Sequence, residues 1–179
     1  MIKEKDIVEF GQIANIPIKW QVLQIDKSNA LLASCSGIGT LPYDENGGMT
    51  SWPDCSLRRW LNNTFFKEAF SEEERNQINS VYLPDAATAV DFSNKEAADN
   101  VFILSLQEAA EYLTEDERVL LTSAQTVRAW HSFDGLRESV RWWLRDTGGE
   151  NIKDGFCSVC DFDGKLGFVQ KKTVSTIAI

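Results

Sequence analysis

Proline and histidine are scarce in this chain: its 179 residues carry four prolines and the single His131. With 43% hydrophobic residues, six Trp and ten Phe, so little proline excludes a proline-rich disordered or fibrous chain and predicts a packed core. Cysteine is sparse too. The four, at positions 35, 55, 157 and 160, are too few for the disulfide framework of a small secreted domain, and a chain of this size buries roughly 70% of its surface without staples. They are read as reduced. Cations are in deficit, 18 against 27 acidic residues, for a net charge of −9. Phosphate backbones and anionic lipid therefore repel the molecule as a whole, and nucleic acid is an unfavoured partner unless a local basic patch recruits it. Long apolar runs are missing, and the opening MIKEKDIVEF breaks its apolar residues with charges, so neither a membrane span nor a secretory signal is drawn. A cytoplasmic protein is expected, or one carried out in a virion. Glycine-rich phosphate loops are absent as well: Gly37-Ile38-Gly39 and Gly47-Gly48 match neither the dinucleotide fingerprint nor the P-loop.

What is present predicts one domain over residues 1–179, with strands at both ends and helices between. Residues 7–10 form a short strand. Residues 18–25 (IKWQVLQI) alternate, with Ile18, Trp20, Val22 and Gln24 on one face, and residues 30–34 return after the turn-like Asp26-Lys27-Ser28-Asn29. Residues 37–48 read as a loop. Ser56 is placed as the cap of LRRWLNN, where Leu57, Trp60 and Leu61 have the spacing of a buried helical face. Two capping boxes follow, Ser71 with Glu74 and Ser105 with Glu108. Between them, residues 84–99 read as a polar loop and residues 101–104 as an apolar strand. Residues 122–130 turn helical. Residues 140–145 (VRWWLR) alternate, residues 156–162 and 166–169 flank the turn Asp161-Phe162-Asp163-Gly164, and residues 174–179 close as a strand. The fold class is α+β, with N- and C-terminal strands in a shared antiparallel sheet and helices inserted between.

The segments PIKWQVL, ALLAS, SLRRWLNNTFFKEAFSEEERNQI, NVFILSLQEAAEYL and RWWLR, in that order and followed by a Gly-bearing hairpin, resemble a bacterial and phage family called domain of unknown function 6273. The resemblance implies a fold like that of the C-type lectins, the formylglycine-generating enzymes and variable receptor-binding proteins, a scaffold that hosts unrelated functions. Members often close on an Arg-Pro-containing strand, whereas this chain ends KKTVSTIAI. Within the resemblance Trp60, Leu61, Phe102, Leu104, Trp142 and Leu144 are framework residues, expected to be buried.

Cys157 and Cys160 have the C-x-x-C spacing of half a zinc site or a redox pair. In a strand, however, residues i and i+3 face opposite sides with Cα atoms about 10 Å apart, too far for a disulfide. Zinc would need a sharp turn there and two more ligands. The pair stands as the metal candidate of a chain for which no metal and no cofactor is expected. Asp161 and Asp163 beside Gly164 read as turn chemistry. The segment RAWHSFDGLRESVRWWLR, residues 128–145, is locally basic. Strand alternation puts Arg141, Trp143 and Arg145 on one face and Val140, Trp142 and Leu144 on the other. Two readings stay open for that face. It stacks on sugars or bases, or grips an anion with guanidinium pairs; alternatively its arginines pair with nearby carboxylates and Trp143 packs under a loop. The leading expectation is a non-catalytic binding module for a glycan, protein or anionic small molecule, with Trp130, His131, Arg141, Trp143 and Arg145 as its ligand surface. The alternatives are a metal-assisted oxidase of the formylglycine-generating type, and a structural protein of a phage or bacterial assembly. No catalytic residue and no membrane partner is assigned.

Overall fold

The computed structural model describes residues 1–47, 50–83, 98–121, 139–147, 156–170, 174–177 and 179. Its first third is an antiparallel meander, β1 (Ile7–Ile13), β2 (Ile16–Asp26) and β3 (Asn29–Ser34), in spatial order β1-β2-β3. The β1 and β2 strands run past the expected ends because Ala14 and Asn15, at φ 49° and 65°, turn the chain in two residues. Two successive left-handed residues are what a type I′ hairpin demands. Alternation holds along β2 as far as Val22, with Ile18, Trp20 and Val22 buried; a register shift between Val22 and Gln24 then buries Leu23 and leaves Gln24 exposed. Val8 lies opposite Trp20, and Leu32 opposite Val22. A register shift between Glu9 and Gln12 interrupts β1 at Gly11, whose φ is +69°. A Cβ there would sit 2.6 Å from the Phe70 ring, so glycine serves both the bulge and the close approach.

Residues 37–48 are not simply a loop, for they include β4 (Gly39–Pro42). This strand joins β9 (Trp142–Trp143), β10 (Phe156–Cys160), β11 (Leu166–Gln170) and β12 (Val174–Ile177) in a five-stranded sheet ordered β11-β10-β9-β12-β4. The expectation of a single shared antiparallel sheet needs correcting. The meander keeps its own sheet, the terminal strand β12 pairs antiparallel with β4, and β12 runs parallel to β9. The C-terminal strand nevertheless meets the end of the meander: the Ser34 N–H donates to the Ile179 carbonyl and the Ile38 N–H to that of Ile177.

Helices fill the middle of the chain. After a 3₁₀ turn over Trp52–Asp54 come α1 (Ser56–Trp60), a π-helical turn over Leu61–Phe65, and α2 (Phe66–Ala69). The cap of α1 is Cys55 rather than Ser56: its Sγ accepts the Arg58 N–H at 3.3 Å, while Ser56 Oγ accepts that of Glu45. Both expected capping boxes form, opening α3 (Glu72–Arg75) and α4 (Leu106–Tyr112). Two hairpin stems interleave with them, β5 (Val81–Tyr82) with β6 (Ala98–Asp99), and β7 (Leu120–Leu121) with β8 (Ser139–Val140). Residues 101–104 do not form a strand. Val101, Ile103 and Leu104 are buried, but the backbone there serves other partners, Leu104 accepting the Arg145 N–H. Of the loop expected over 84–99, Ala98 and Asp99 form β6 instead, and the rest, like the helix expected over 122–130, lies outside the described residues.

Among the described residues the buried apolar side chains gather in two clusters. One centres on Trp20, Tyr43, Trp52, Phe65, Phe70 and Trp143, and the other on Leu23, Leu104, Leu113, Leu120, Trp142 and Leu144. Strand β9 divides them, Trp143 entering the first and Trp142 the second. Of the six framework residues, Leu61, Leu104, Trp142 and Leu144 are buried, whereas Trp60 and Phe102 are half-buried. Among the described residues no helix is long and apolar enough to cross a membrane.

Candidate ligand-binding site

Of the five residues expected to form a ligand surface, Trp130 and His131 lie outside the described residues. The other three are not gathered on one exposed face. Trp143 is fully buried, its indole N–H donating to the Leu41 carbonyl at 2.8 Å. Arg145 is 4% exposed. Its Nη2 lies 3.1 Å from both Glu108 oxygens, and its Nη1 donates to the Ile103 carbonyl at 2.9 Å. Arg141 keeps partial exposure, paired with Asp161 at 3.2 Å and set 5.0 Å from the centre of the Phe162 ring. Strand alternation fails here for a physical reason. It assumes one wet face, whereas β9 lies inside its sheet between β10 and β12 with apolar clusters on either side, so neither tryptophan meets water. Of the two readings left open, carboxylate pairing and internal packing describe these three residues.

The cysteine pair lies on one strand, β10, and offers no reactive thiolate at its second member. Burial pushes the Cys160 thiol up to about 12, and does the same for Cys55. Among the described residues no group of three or more His, Cys, Asp or Glu side chains could hold a metal ion. At the β10–β11 turn Asp163 pairs with Lys165 at 2.7 Å, and Gly164, at φ +82°, packs where a Cβ would lie 2.2 Å from the Glu115 carbonyl. Asp161 and Asp163 thus have partners, as turn residues do.

Buried polar groups elsewhere are likewise closed on themselves. Asp99, 1% exposed, accepts from Trp52 Nε1 at 2.8 Å and from Arg58 Nε at 2.6 Å. Burial pushes its carboxyl above the usual range, against the pull of those two donors. Asp44 takes the Ser56 N–H and the Thr50 hydroxyl. These contacts pin loops to the core and leave little room for a substrate.

A concavity of about 440 Å³ opens instead between the meander and the segments that follow α2 and β6. Its floor is the face of the meander bearing Val8, Phe10, Trp20, Val22 and Leu32, and its far wall carries Phe70, Ile78, Val101 and Phe102. Val8, Phe10, Leu32, Ile78 and Phe102 are only half-buried. Contacts from behind hold these walls in place. Trp20 Nε1 donates to the Phe10 carbonyl at 2.6 Å, Glu74 accepts the Gly11 N–H at 2.8 Å, and the Arg145 guanidinium stands 5.8 Å from the Phe102 ring centre. The Ser71 N–H of its capping box, with the Gly11 N–H next, holds the Glu74 carboxyl below its ordinary range. Amides border the opening. Asn79 Nδ2 donates to Asn29 Oδ1 at 2.9 Å, tying the β2–β3 turn to the chain after α3, and Gln24 and Asn100 stand nearby in the lining. The period-two pattern of β2 already marked the floor; the far wall has no sequence signal, because only the fold brings residues 70, 78 and 102 together.

The molecule is thus a mixed α+β domain with a concavity of the size that small-molecule sites have, about 300–1,000 Å³. It belongs to the family described as domain of unknown function (DUF6273), whose model matches residues 27–174. That match begins in the β2–β3 turn, so β1 and β2, which carry most of the floor of the concavity, precede it. No curated protein and no solved structure matches the chain.

Proposed function

We propose that this chain is a non-catalytic binding module on a C-type-lectin-like scaffold, and that it takes a small molecule in the concavity between the meander and the 70–83 and 100–104 segments. The observation carrying this reading is the set of half-buried apolar side chains converging on one preformed hollow: Val8, Phe10, Leu32, Ile78 and Phe102. Covering such surface is favourable by roughly 25 cal/mol per Å², and the amides at the opening supply the few polar contacts that orient a ligand. The meeting of the C-terminal strand with β3 and β4, with helices inserted between, supports the scaffold. Internal pairing of Trp143 and Arg145 favours this hollow over the C-terminal strands as the ligand site.

A neutral fluorescent probe, Nile red, tests the proposal. The protein is expected to bind one equivalent with enhanced emission, and Leu32→Trp, which fills the hollow, to lose that binding while keeping its near-ultraviolet circular dichroism. Val8→Trp serves as a second filling variant should the first fail to fold. No binding by the unaltered protein, or equal binding by a folded filled variant, overturns the reading.

A further inference from the structure

We infer that the hollow selects amphiphiles by the charge of their heads, accepting a cationic or neutral head on an apolar body and rejecting an anionic one. This rests on the binding-module reading above and adds the ligand's chemical class. The polar residues of the lining are Gln24, Asn29, Gln77, Asn79 and Asn100, with Ser28 and the two acidic residues Glu9 and Asp26. No Lys, Arg or His stands among the described residues that line it.

The amides retain hydrogen-bonding capacity. Gln24 uses its Oε1 for the Tyr112 hydroxyl, Asn29 uses its Oδ1 for Asn79, and Asn100 uses its Oδ1 for Ser80, which leaves each with an amide N–H₂. Gln77 donates its Nε2 to the Glu73 carbonyl and keeps an acceptor oxygen. Neutral donors and acceptors of this kind match a hydroxyl or amide head. An anionic head would find amide donors but no counter-charge among the described lining residues, and it would face a carboxylate. Glu9 lies opposite the cationic Lys19 in the β1–β2 ladder. Asp26, exposed at the end of β2 beside Ser28 and Asn29, is the acidic residue on which the preference turns. The net charge of −9 acts in the same direction at longer range.

The test is calorimetric titration with three amphiphiles that share an eight-carbon chain, below their micelle concentrations: octyltrimethylammonium, octanol and octyl sulfate. The trimethylammonium compound is expected to bind about tenfold more tightly than the sulfate, the scale set by one unit charge meeting one carboxylate several ångströms away near a surface, with octanol between them. Asp26→Lys is expected to reverse the order of the two charged compounds, and 0.5 M salt to shrink the gap. Equal affinity of cation and anion, or an order unchanged by Asp26→Lys, overturns the inference while Nile red binding leaves the binding site intact. Loss of Nile red binding together with all three amphiphiles removes both.

Discussion

Arg145 shows how much of this fold hangs on single side chains. Its guanidinium is held by Glu108 and the Ile103 carbonyl, its own carbonyl accepts the Tyr43 hydroxyl at 2.9 Å, and its ring-side contact backs Phe102 in the wall of the hollow. Glu108 in turn caps α4 through the Ser105 N–H at 2.7 Å. Removing one partner of a buried ion pair strands the other charge in a dry setting, which costs about 3–5 kcal/mol. Arg145→Ala is therefore expected to lower the unfolding free energy by that amount, read from urea denaturation followed by tryptophan fluorescence. A loss below about 1 kcal/mol, the ceiling for exposed pairs, would mean that the pair is solvated.

At the level of elements, the β1–β2 hairpin carries a correctable strain. Ala14 sits at φ 49°, where its Cβ crowds the backbone by roughly 1–2 kcal/mol, a cost that asparagine and glycine largely avoid. Replacing Ala14-Asn15 by Asn-Gly, the preferred pair of a type I′ turn, is expected to raise the melting temperature by a few degrees, corresponding to about 1 kcal/mol. An unchanged or lower value would contradict the turn geometry. Elements of this local kind were the legible part of the fold. The alternation of Ile18, Trp20 and Val22 and the capping boxes at Ser71 and Ser105 depend on neighbours within four residues, so they stand in the sequence as they do in the structure. Elements defined by distant partners were not legible. The strand β4 has little apolar pattern of its own and exists because β12 pairs with it. Likewise Trp142-Trp143 reads as one wet and one dry residue until β10 and β12 close on both sides of it. The candidate site divides the same way, its floor written in β2 and its far wall assembled only by the fold.

At the scale of the whole molecule, a few polar links tie the early chain to later segments. Glu117 gathers Lys5 Nζ at 2.9 Å, Gln21 Nε2 at 3.0 Å and the Thr114 N–H at 2.8 Å, joining the N-terminal segment and β2 to the turn after α4. The Lys5 hydrogen bond, with the Thr114 N–H next, lowers its carboxyl to about 2. A folded-state value below the unfolded one means stability that is present above roughly pH 4.5 and lost as pH falls toward 2. Melting temperature is thus expected to hold from pH 7 to about 5 and to decline below it, with a shallower decline in Glu117→Gln. Identical acid profiles for the two proteins would show that this link contributes nothing.

Nitrogen-15 correlation spectra of the indole N–H groups test the central claim most directly, because Trp20 lines the hollow while Trp142 and Trp143 stand outside its lining. On titration with Nile red the Trp20 signal is expected to shift and saturate at one equivalent, with the Trp142 and Trp143 signals unmoved. A stationary Trp20 signal under saturating probe, or shifts confined to the other two, would contradict the account.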